Sequence, residues 1–397
     1  MNLRDRLRAV NGDTARAVKP AEAPGATDCM YRREDRPMAD FPHAFEADRE
    51  TLALMLGGLT EDFDPRRVLY LDTETTGFSG TGTVAFLVGL GFLTDTGFQV
   101  HQFLMRDYPE EPFLLKHVQN ALNRYDWLCT FNGKSFDVPL LRDRFLMNRM
   151  DPACLEIPHI DLLHLARRIW KLRLGQCNLG RLEEVILDRP RSDDLPGSEV
   201  PARFFAYLKN KDMRLLEPVL THNAQDIATL CTLLSGMQHL YRHPEEIPFE
   251  QDLVSMAGAL EKNRQPEAAR KVWRLAASSR GAMRAEAGLC LARNYRRQGE
   301  RAEAVAIWRQ MAERREGGIR PLIELAKYEE HVRKDIPVAL DLTRKARILL
   351  AEPALSENKA VQDEIFAVEY RYARLKRKAA AQKGESKEWD FSGSKDL

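Results

Sequence analysis

The sequence predicts an α/β domain followed by an all-helical domain. Apolar segments with the pattern of strands begin at Val68 and alternate with amphipathic helices up to about residue 240. From about residue 250 the pattern is helical throughout and carries a 35-residue repeat. Within the first domain we expect a mixed five-stranded sheet flanked by helices.

Composition and charge exclude several classes of protein. Of the 397 residues, 44% are hydrophobic and 30% are charged, which is ordinary for a globular chain. No apolar run reaches about 18 residues, so no membrane span is expected. The N-terminus is charged and lacks the apolar core of a secretory signal. The six cysteines are scattered without a C-x-x-C pair, which argues against a zinc ribbon and for a reducing, cytoplasmic setting.

The net charge of +1 hides an uneven distribution. Residues 251–397 contain 30 basic and 22 acidic side chains, whereas residues 1–250 contain 30 basic and 37 acidic ones. The basic part is suited to gripping phosphates. Charge asymmetry between domains is also common without such a role, so both interpretations stay open.

The elements can be predicted in chain order. Residues 1–65 are rich in Pro, Asp, Glu and Arg and predict a loosely ordered arm with one helix near Glu50–Leu59. The α/β domain is expected over residues 66–245. Its predicted strands are Val68–Leu71, Val84–Leu93, Phe98–Met105, Trp127–Phe131 and Ile157–Leu162. Its predicted helices cover about 110–124, 137–148, 162–171, 176–187 and 201–240, with a loop at 188–200.

A repeat of small residues marks the helical domain, expected over residues 250–380. Ala269, Ala304 and Ala339 are 35 apart, and similar turns precede them. The helices before these turns carry Ala257, Ala292 and Ala326, and the larger residues four places after the first set are Trp273, Trp308 and Thr343. Small residues at fixed spacing let paired helices approach closely. A helical bundle without repeats is the alternative. The tail, residues 383–397, is polar and predicted to be disordered.

Two carboxylates end the first predicted strand of the α/β domain. Asp72 and Glu74 follow the apolar run Val68–Leu71 and lie two apart, so their side chains share one face. Burying both is costly without cations or other partners. Mg²⁺ and Mn²⁺ prefer oxygen ligands. We therefore predict that Asp72 bridges two metal ions and that Glu74 holds one of them.

A third carboxylate opens the helix after the fourth strand. Asp is also a favoured helix N-cap, which is the plain alternative for Asp137. The surrounding motif is FNGKSFD, in which Asn132 and Phe136 are suited to a terminal nucleotide through hydrogen bonding and stacking. Lys134 is either a phosphate contact or an ordinary solvated lysine.

The fourth carboxylate lies in THNAQDIATL. His222 and Asp226 are four apart, so on a helix both project from one face. Asp226 is then a metal ligand, and His222 is a candidate general base because a neutral imidazole suits that role near pH 7. The alternative is an ordinary polar His222. Asp161 is expected to start a helix, and the alternative is that it assists the site.

The order D-x-E, N-x-x-x-F-D, H-x-x-x-D over about 66–241 resembles the DEDD 3′–5′ exonucleases of the ribonuclease H-like superfamily. The resemblance implies metal-ligand roles for Asp72, Glu74, Asp137 and Asp226, and places Thr76 and Gly77 where that family approaches the 3′-terminal sugar. His222 has the spacing of the family's tyrosine subtype but the residue type of its histidine subtype. The identity of the base therefore stays open.

The helical repeat resembles tetratricopeptide repeats, although Trp and Thr stand where Phe is commoner. An exonuclease domain with such helices resembles the bacterial YprB-like group. The expected function is a two-metal 3′–5′ exonuclease that uses Mg²⁺ or Mn²⁺ on DNA or RNA with a 3′ end. A structure-specific endonuclease on the same fold is a further alternative. The main alternative is a non-catalytic nucleic-acid-binding scaffold that recruits a protein partner through its helical repeats.

Overall fold

The computed structural model describes residues 28–58, 61–77, 82–191, 195–350 and 359–388. The chain divides into two compact units. The first comprises Met1–Arg167 and Leu174–Arg242, and the second comprises Arg168–Arg173 and His243–Leu397. None of the described helices has the length and apolar character that crossing a lipid bilayer requires.

The first unit is built on a mixed six-stranded sheet. Its strands are β1 (Met30–Pro37), β2 (Val68–Thr75), β3 (Ala85–Leu93), β4 (Gly97–Leu104), β5 (Trp127–Thr130) and β6 (His159–Asp161). Their order across the sheet is β1-β4-β3-β2-β5-β6. The four strands from β1 to β2 pair antiparallel, and β2, β5 and β6 pair parallel.

The sheet has six strands, one more than the five that the sequence predicts. Strand β1 pairs antiparallel with β4 along its whole length, from Met30 opposite Leu104 to Pro37 opposite Gly97. It lies in the stretch that was expected to be a loosely ordered arm. Its sequence, MYRREDRP, is rich in charged residues, as is common in an edge strand, whose outer backbone groups have no neighbouring strand. Apolar periodicity therefore does not reveal it. Residues 1–27 of the expected arm lie outside the described residues.

Seven helices are described from residue 49 to residue 242. They are α1 (Arg49–Leu56), α2 (Glu111–Leu122), α3 (Asp137–Met147), α4 (Leu162–Leu174), α5 (Leu179–Val185), α6 (Val200–Asn210) and α7 (Glu217–Arg242). The helical stretch expected over 201–240 consists of two helices. Lys211 adopts a left-handed φ of 53° at the end of α6, and a short 3₁₀ turn at Met213–Leu215 separates the two helices.

Helices cover both faces of the sheet. Gln102 and Phe103 are consecutive on β4 and therefore point to opposite faces. Gln102 Nε2 donates to the Leu220 carbonyl of α7 at 2.7 Å. The Phe103 ring stacks on the His117 ring of α2, with centroids 4.9 Å apart. Burial on both faces explains why β3 is an unbroken apolar run.

The second unit is helical. Its main helices are α8 (Glu250–Lys262), α9 (Pro266–Ser278), α10 (Arg284–Arg297), α11 (Arg301–Glu313), α12 (Arg320–Tyr328), α13 (Ile336–Leu350) and α14 (Lys359–Glu388). The six alanines of the repeat are all fully buried. Trp273, Trp308 and Thr343 are buried beside them. Helix α14 continues past the boundary expected at residue 383, and residues 389–397 lie outside the described residues.

Candidate active site

The first two carboxylates project from the end of β2. Asp72 and Glu74 are half-buried, whereas Leu71, Thr73 and Thr75 between and beside them are buried, as alternation along a strand requires. Pairing between β2 and the parallel strand β5 ends at Tyr70 opposite Cys129. Both carboxylates therefore lie beyond this pairing, at the carboxyl ends of the parallel strands. Ligand sites of α/β folds are commonly found there.

A buried amide orients Asp72. Asn223 of α7 donates from Nδ2 to Oδ2 of Asp72 at 3.0 Å, and its own Oδ1 accepts from Gln102 Nε2 at 2.9 Å. Gly89 lies opposite Asp72 in the β2–β3 ladder. A Cβ atom at Gly89 would stand 2.2 Å from Asn223 Oδ1, so the missing side chain makes room for this amide.

The third carboxylate is Asp137, the first residue of α3. It is buried and accepts a hydrogen bond from the Thr73 hydroxyl at 2.6 Å. Thr73 directly follows Asp72, and the negative charge of Asp137 contributes to raising the pKa of Asp72, so Asp137 lies within electrostatic reach of that carboxylate. The N-cap position belongs to Phe136 and has no side-chain cap. Asp137 is therefore not the N-cap of α3, although its place in the first turn also suits a helix N-terminus.

The fourth carboxylate is on α7, one turn from the predicted base. His222 Nε2 lies 3.4 Å from Asp226 Oδ2, and both side chains are about one-seventh exposed. Arg191 adds a cation here: its Nη2 forms an ion pair with Asp226 Oδ1, and its Nη1 lies 3.1 Å from His222 Nδ1. His222 and Asp226 thus lie side by side on α7, as their spacing predicts, and both also contact Arg191.

Electrostatics connect the four carboxylates. Burial raises the pKa of Asp72 well above its ordinary value, and the negative charges of Asp226, Asp137 and Glu74 raise it further. Burial likewise raises the pKa of Asp137 to about 6, with a smaller contribution from the charge of Asp161. Asp72 therefore lies within the electrostatic reach of all three other predicted ligands.

The four carboxylates share a region without forming one compact three-ligand cluster. Within the described ranges, three ligand atoms approach one another within 4.8 Å only at two other places. These sets are Asp28 with Cys29 and His117, and His43 with Glu46 and His239. The predicted ligands are thus more widely spaced than a preformed single-ion site.

The motif between β5 and α3 is held by a buried acid. Asn132 has a left-handed φ of 65°, and its N–H donates to Asp161 Oδ1 at 2.9 Å. The N–H of Lys134 donates to Asp161 Oδ2 at 3.1 Å. The Asn132 and Lys134 side chains are exposed, and Phe136 is half-buried. Asp161 therefore shapes the loop that leads into Asp137.

Thr76 and Gly77 continue from β2 towards β3. The backbone N–H of Thr76 donates to the Val84 carbonyl, and its hydroxyl accepts from the Val84 N–H, both at 3.0 Å. The Gly77 carbonyl accepts from the Thr75 hydroxyl at 2.7 Å. Both residues are half-buried, so this turn is fixed next to Glu74.

The structure adds residues that the sequence did not indicate. Arg191 falls in the loop predicted over 188–200 and belongs to no recognised motif. Glu183, which pairs with Arg191, occurs in an ordinary helical segment. Asn223 was overlooked although it stands next to His222; its signal was the i, i+3 spacing to Asp226 on the same helix.

Comparison with known proteins fits this architecture. Residues 69–238 match the family model described as the RNase_H superfamily. The chain is 31% identical over 324 residues to the uncharacterized protein YprB of Bacillus subtilis (strain 168). The aligned region covers 80% of this chain and 76% of YprB.

Among solved structures, a family B DNA polymerase from the hyperthermophilic archaeon Pyrobaculum calidifontis matches 61% of this chain at 16% identity and a TM-score of 0.35. The match spans 30% of the polymerase chain. The similarity to the Bacillus protein, in contrast, extends over most of both chains. The chain therefore belongs to the YprB family, and its residues 69–238 carry a domain of the ribonuclease H superfamily.

Proposed function

We propose that this chain is a metal-dependent 3′–5′ exonuclease that hydrolyses terminal phosphodiester bonds of DNA or RNA. Its ribonuclease H-like fold suggests a nuclease or another nucleic-acid-processing enzyme. The observation that carries the proposal is that four acidic residues are brought to one region of the fold. Asn223 ties Asp72 to the helix that carries Asp226, and Asp137 is bonded to Thr73, which lies on the same strand as Asp72 and Glu74. Such a concentration of negative charge is unfavourable unless cations bind there.

The donor set suits hard divalent cations. Asp72, Glu74, Asp137 and Asp226 offer carboxylate oxygens, which Mg²⁺ and Mn²⁺ prefer over nitrogen or sulfur. Asp72 is well placed to serve two ions, because the negative charges of Asp226, Asp137 and Glu74 all contribute to raising its pKa. When bound, a pair of such ions stabilises charge on the attacking and leaving oxygens of a phosphodiester.

We assign His222 to orienting the attacking water. The Arg191 guanidinium can only donate, so His222 Nδ1 accepts from it and the neutral ring carries its proton on Nε2, facing Asp226. With both nitrogens engaged in this way, the ring must exchange one of these partners before it can contact a water. Donation from Nε2 to a water would need only the Asp226 contact to be replaced, whereas proton removal would also need the ring proton to move.

Nearby groups are suited to holding a nucleic-acid end. The exposed side chains of Asn132 and Lys134 precede Asp137 by five and three residues, and Phe136 directly adjoins it. We propose that the amide and the ammonium contact base and phosphate and that Phe136 stacks. Thr76 and Gly77, fixed beside Glu74, would face the terminal sugar.

The second unit completes the proposed organisation. We propose that residues 66–245 are the exonuclease domain and that residues 250–380 are tetratricopeptide-like repeats. The support is that alanines 35 residues apart, at 269, 304 and 339, are all fully buried in helices. Their helices offer a surface for a protein partner, and the excess of basic residues over this part favours contact with nucleic acid.

The test is cleavage of labelled oligonucleotides by the full chain. Linear DNA and RNA with an exposed 3′ end should shorten stepwise in Mg²⁺ or Mn²⁺, whereas a covalently closed circle should stay intact. Asp72→Asn, Asp137→Asn and Asp226→Asn should each slow cleavage by more than the roughly 10- to 100-fold that loss of an outer partner of a metal site causes. Asp143→Asn, an exposed aspartate of α3, is the matched control.

Two results would count against the proposal. Failure to shorten any substrate in either metal would favour a binding scaffold. Cleavage of the closed circle would indicate an endonuclease on the same fold.

A further inference from the structure

Arg191 is a cation enclosed within the acidic site. Only 14% of its side chain is exposed. One end of the guanidinium pairs with Asp226, and Nη1 lies 3.1 Å from His222 Nδ1. Arginine keeps its charge at any pH at which a protein stays folded. A permanent positive charge therefore touches both a proposed metal ligand and the proposed water-orienting residue.

Glu183 holds the same guanidinium from the other side. Its side chain is 1% exposed, and its Oε2 lies 2.5 Å from Arg191 Nε. The hydroxyl of Thr229, on α7, donates to its Oε1. A carboxylate this deeply buried is costly unless it is paired. Glu183 thus fixes Arg191 between two carboxylates, and the rigid planar fork of the guanidinium can serve both at once.

We propose that Arg191 is a positioning residue of this site. The opposing charges of Arg191 and Glu183 together determine how tightly Asp226 binds a divalent cation. The inference rests on the proposed function, because it takes Asp226 to be a metal ligand. Arg191 holds the Asp226 carboxylate and the His222 ring in orientation, and its charge competes with a cation for Asp226. Glu183 offsets part of that charge and keeps the competition weak.

The two halves of the pair have opposite effects on cation binding. Without the Arg191 charge, Asp226 attracts a divalent cation more strongly. Without the Glu183 charge, Arg191 is left to Asp226 alone and repels the cation more strongly. Cleavage slows in both cases, because Asp226 and His222 lose their orientation. If Arg191 and Glu183 were needed only for folding, substitution of either one would weaken cation binding.

The experiment measures Mn²⁺ affinity of the full chain by calorimetry, with cleavage rates measured in parallel. Arg191→Gln should bind Mn²⁺ about tenfold more tightly and Glu183→Gln about tenfold more weakly, since charges at contact distance interact strongly in a partly buried site. Both should cleave more slowly than the wild type. Arg191→Lys should retain Mn²⁺ affinity close to the wild type but still cleave slowly, because an ammonium cannot bridge both carboxylates as the fork does.

Arg189→Gln is the matched control, since this exposed arginine is two residues away. It should leave both Mn²⁺ affinity and cleavage unchanged. A folded Arg191→Gln variant with unchanged or weaker Mn²⁺ affinity would overturn the inference. If that variant does not fold, unchanged or tighter binding by Glu183→Gln would overturn it equally.

The outcomes separate this inference from the proposed function. If the wild type cleaves and the variants bind Mn²⁺ with unchanged affinity, only the proposed role of Arg191 is contradicted. A wild-type chain that binds Mn²⁺ but cleaves nothing removes the exonuclease, while the opposite affinity shifts would still support the role of Arg191. Absence of Mn²⁺ binding in the wild type would remove both.

Discussion

Asn223 Nδ2 lies 3.0 Å from Oδ2 of Asp72, although 151 positions of sequence separate the two residues. This hydrogen bond ties α7, which carries Asp226, to β2, which carries Asp72. Gln102 donates to the other end of the same amide at 2.9 Å, so the Asn223 NH₂ group must face the carboxylate. A neutral buried amide thus fixes the distance between two acidic elements without adding charge.

Gly89→Ala should disturb this amide. The new Cβ would stand 2.2 Å from Asn223 Oδ1, so Asn223 would have to move away from Asp72. We expect a loss of about 1–3 kcal/mol in the free energy of unfolding, as overpacking usually costs, together with slower cleavage. Urea unfolding and the oligonucleotide assay measure the two effects.

Gly236→Ala is the control for that substitution. Gly236 lies on α7, and a Cβ atom there would meet nothing within 4 Å. Replacing a glycine in a helix interior should stabilise the protein by up to about 1 kcal/mol. Equal stability of the Gly89 and Gly236 variants would show that Asn223 does not depend on the space at Gly89.

The metal-ligand candidates could be predicted because each belongs to a local pattern. Asp72 and Glu74 follow an apolar strand at a spacing of two, and His222 and Asp226 have helical spacing. The structure places these pairs on the expected β2 and α7. Local spacing carries this information because strand and helix geometry fix which side chains share a face.

The supporting residues could not be predicted in the same way. Arg191 meets Glu183 and Asp226 through the path of an irregular loop, which no periodicity describes. Strand β1 is an edge strand whose charged residues suit water, so its pairing with β4 depends on the neighbouring strand and not on its own pattern. Both features are consequences of tertiary structure.

The metal-free protein should lose stability as pH rises through the titration of Asp137. Its pKa is raised by burial from 3.8 to about 6, so the folded state binds this proton more tightly than the unfolded state does. The free energy of unfolding therefore falls between about pH 4 and pH 6, and the loss is complete above that range. From pH 4.5 to pH 7.5 the contribution is about 2 kcal/mol.

Asp137→Asn isolates that contribution, because the amide cannot ionise while its oxygen can still accept from Thr73. Urea unfolding with a chelator at the two pH values should show a smaller decrease for the variant than for the wild type. Adding Mg²⁺ at pH 7.5 should stabilise the wild type more than the variant. Identical pH dependence in both proteins would contradict the assignment to Asp137.

Larger side chains at the repeated alanines should lower the free energy of unfolding of the helical unit. Ala304 is fully buried on α11, whereas Ala306 on the same helix is exposed. Ala304→Leu should overpack the contact and reduce the free energy of unfolding by about 1–3 kcal/mol, while Ala306→Leu should change it by less than about 0.5 kcal/mol. Similar effects at the two positions, measured by urea unfolding, would contradict close helix contact at the repeat.

Asp161 should act on cleavage through the loop that it holds. Its Oδ1 accepts the N–H of Asn132 at 2.9 Å and of Leu163 at 3.1 Å, and its Oδ2 accepts the N–H of Lys134 at 3.1 Å. Asp161→Ala removes both acceptor oxygens and with them all three hydrogen bonds. A buried donor left unpaired, such as the Leu163 N–H, typically costs about 1–3 kcal/mol.

The same change should misplace Asp137, because this loop leads directly into α3. We expect cleavage to fall roughly 10- to 100-fold, as for other groups that support a metal ligand. Hydrogen exchange at the amides of Asn132 and Lys134 should accelerate in parallel, which connects the lost rate to the loop. Asp161→Asn should lie between wild type and alanine, since it keeps one acceptor oxygen but turns an NH₂ group towards a backbone donor. If Asp161→Ala cleaves at the wild-type rate while those two amides exchange faster, the loop does not position Asp137, and α3 alone must hold the third carboxylate.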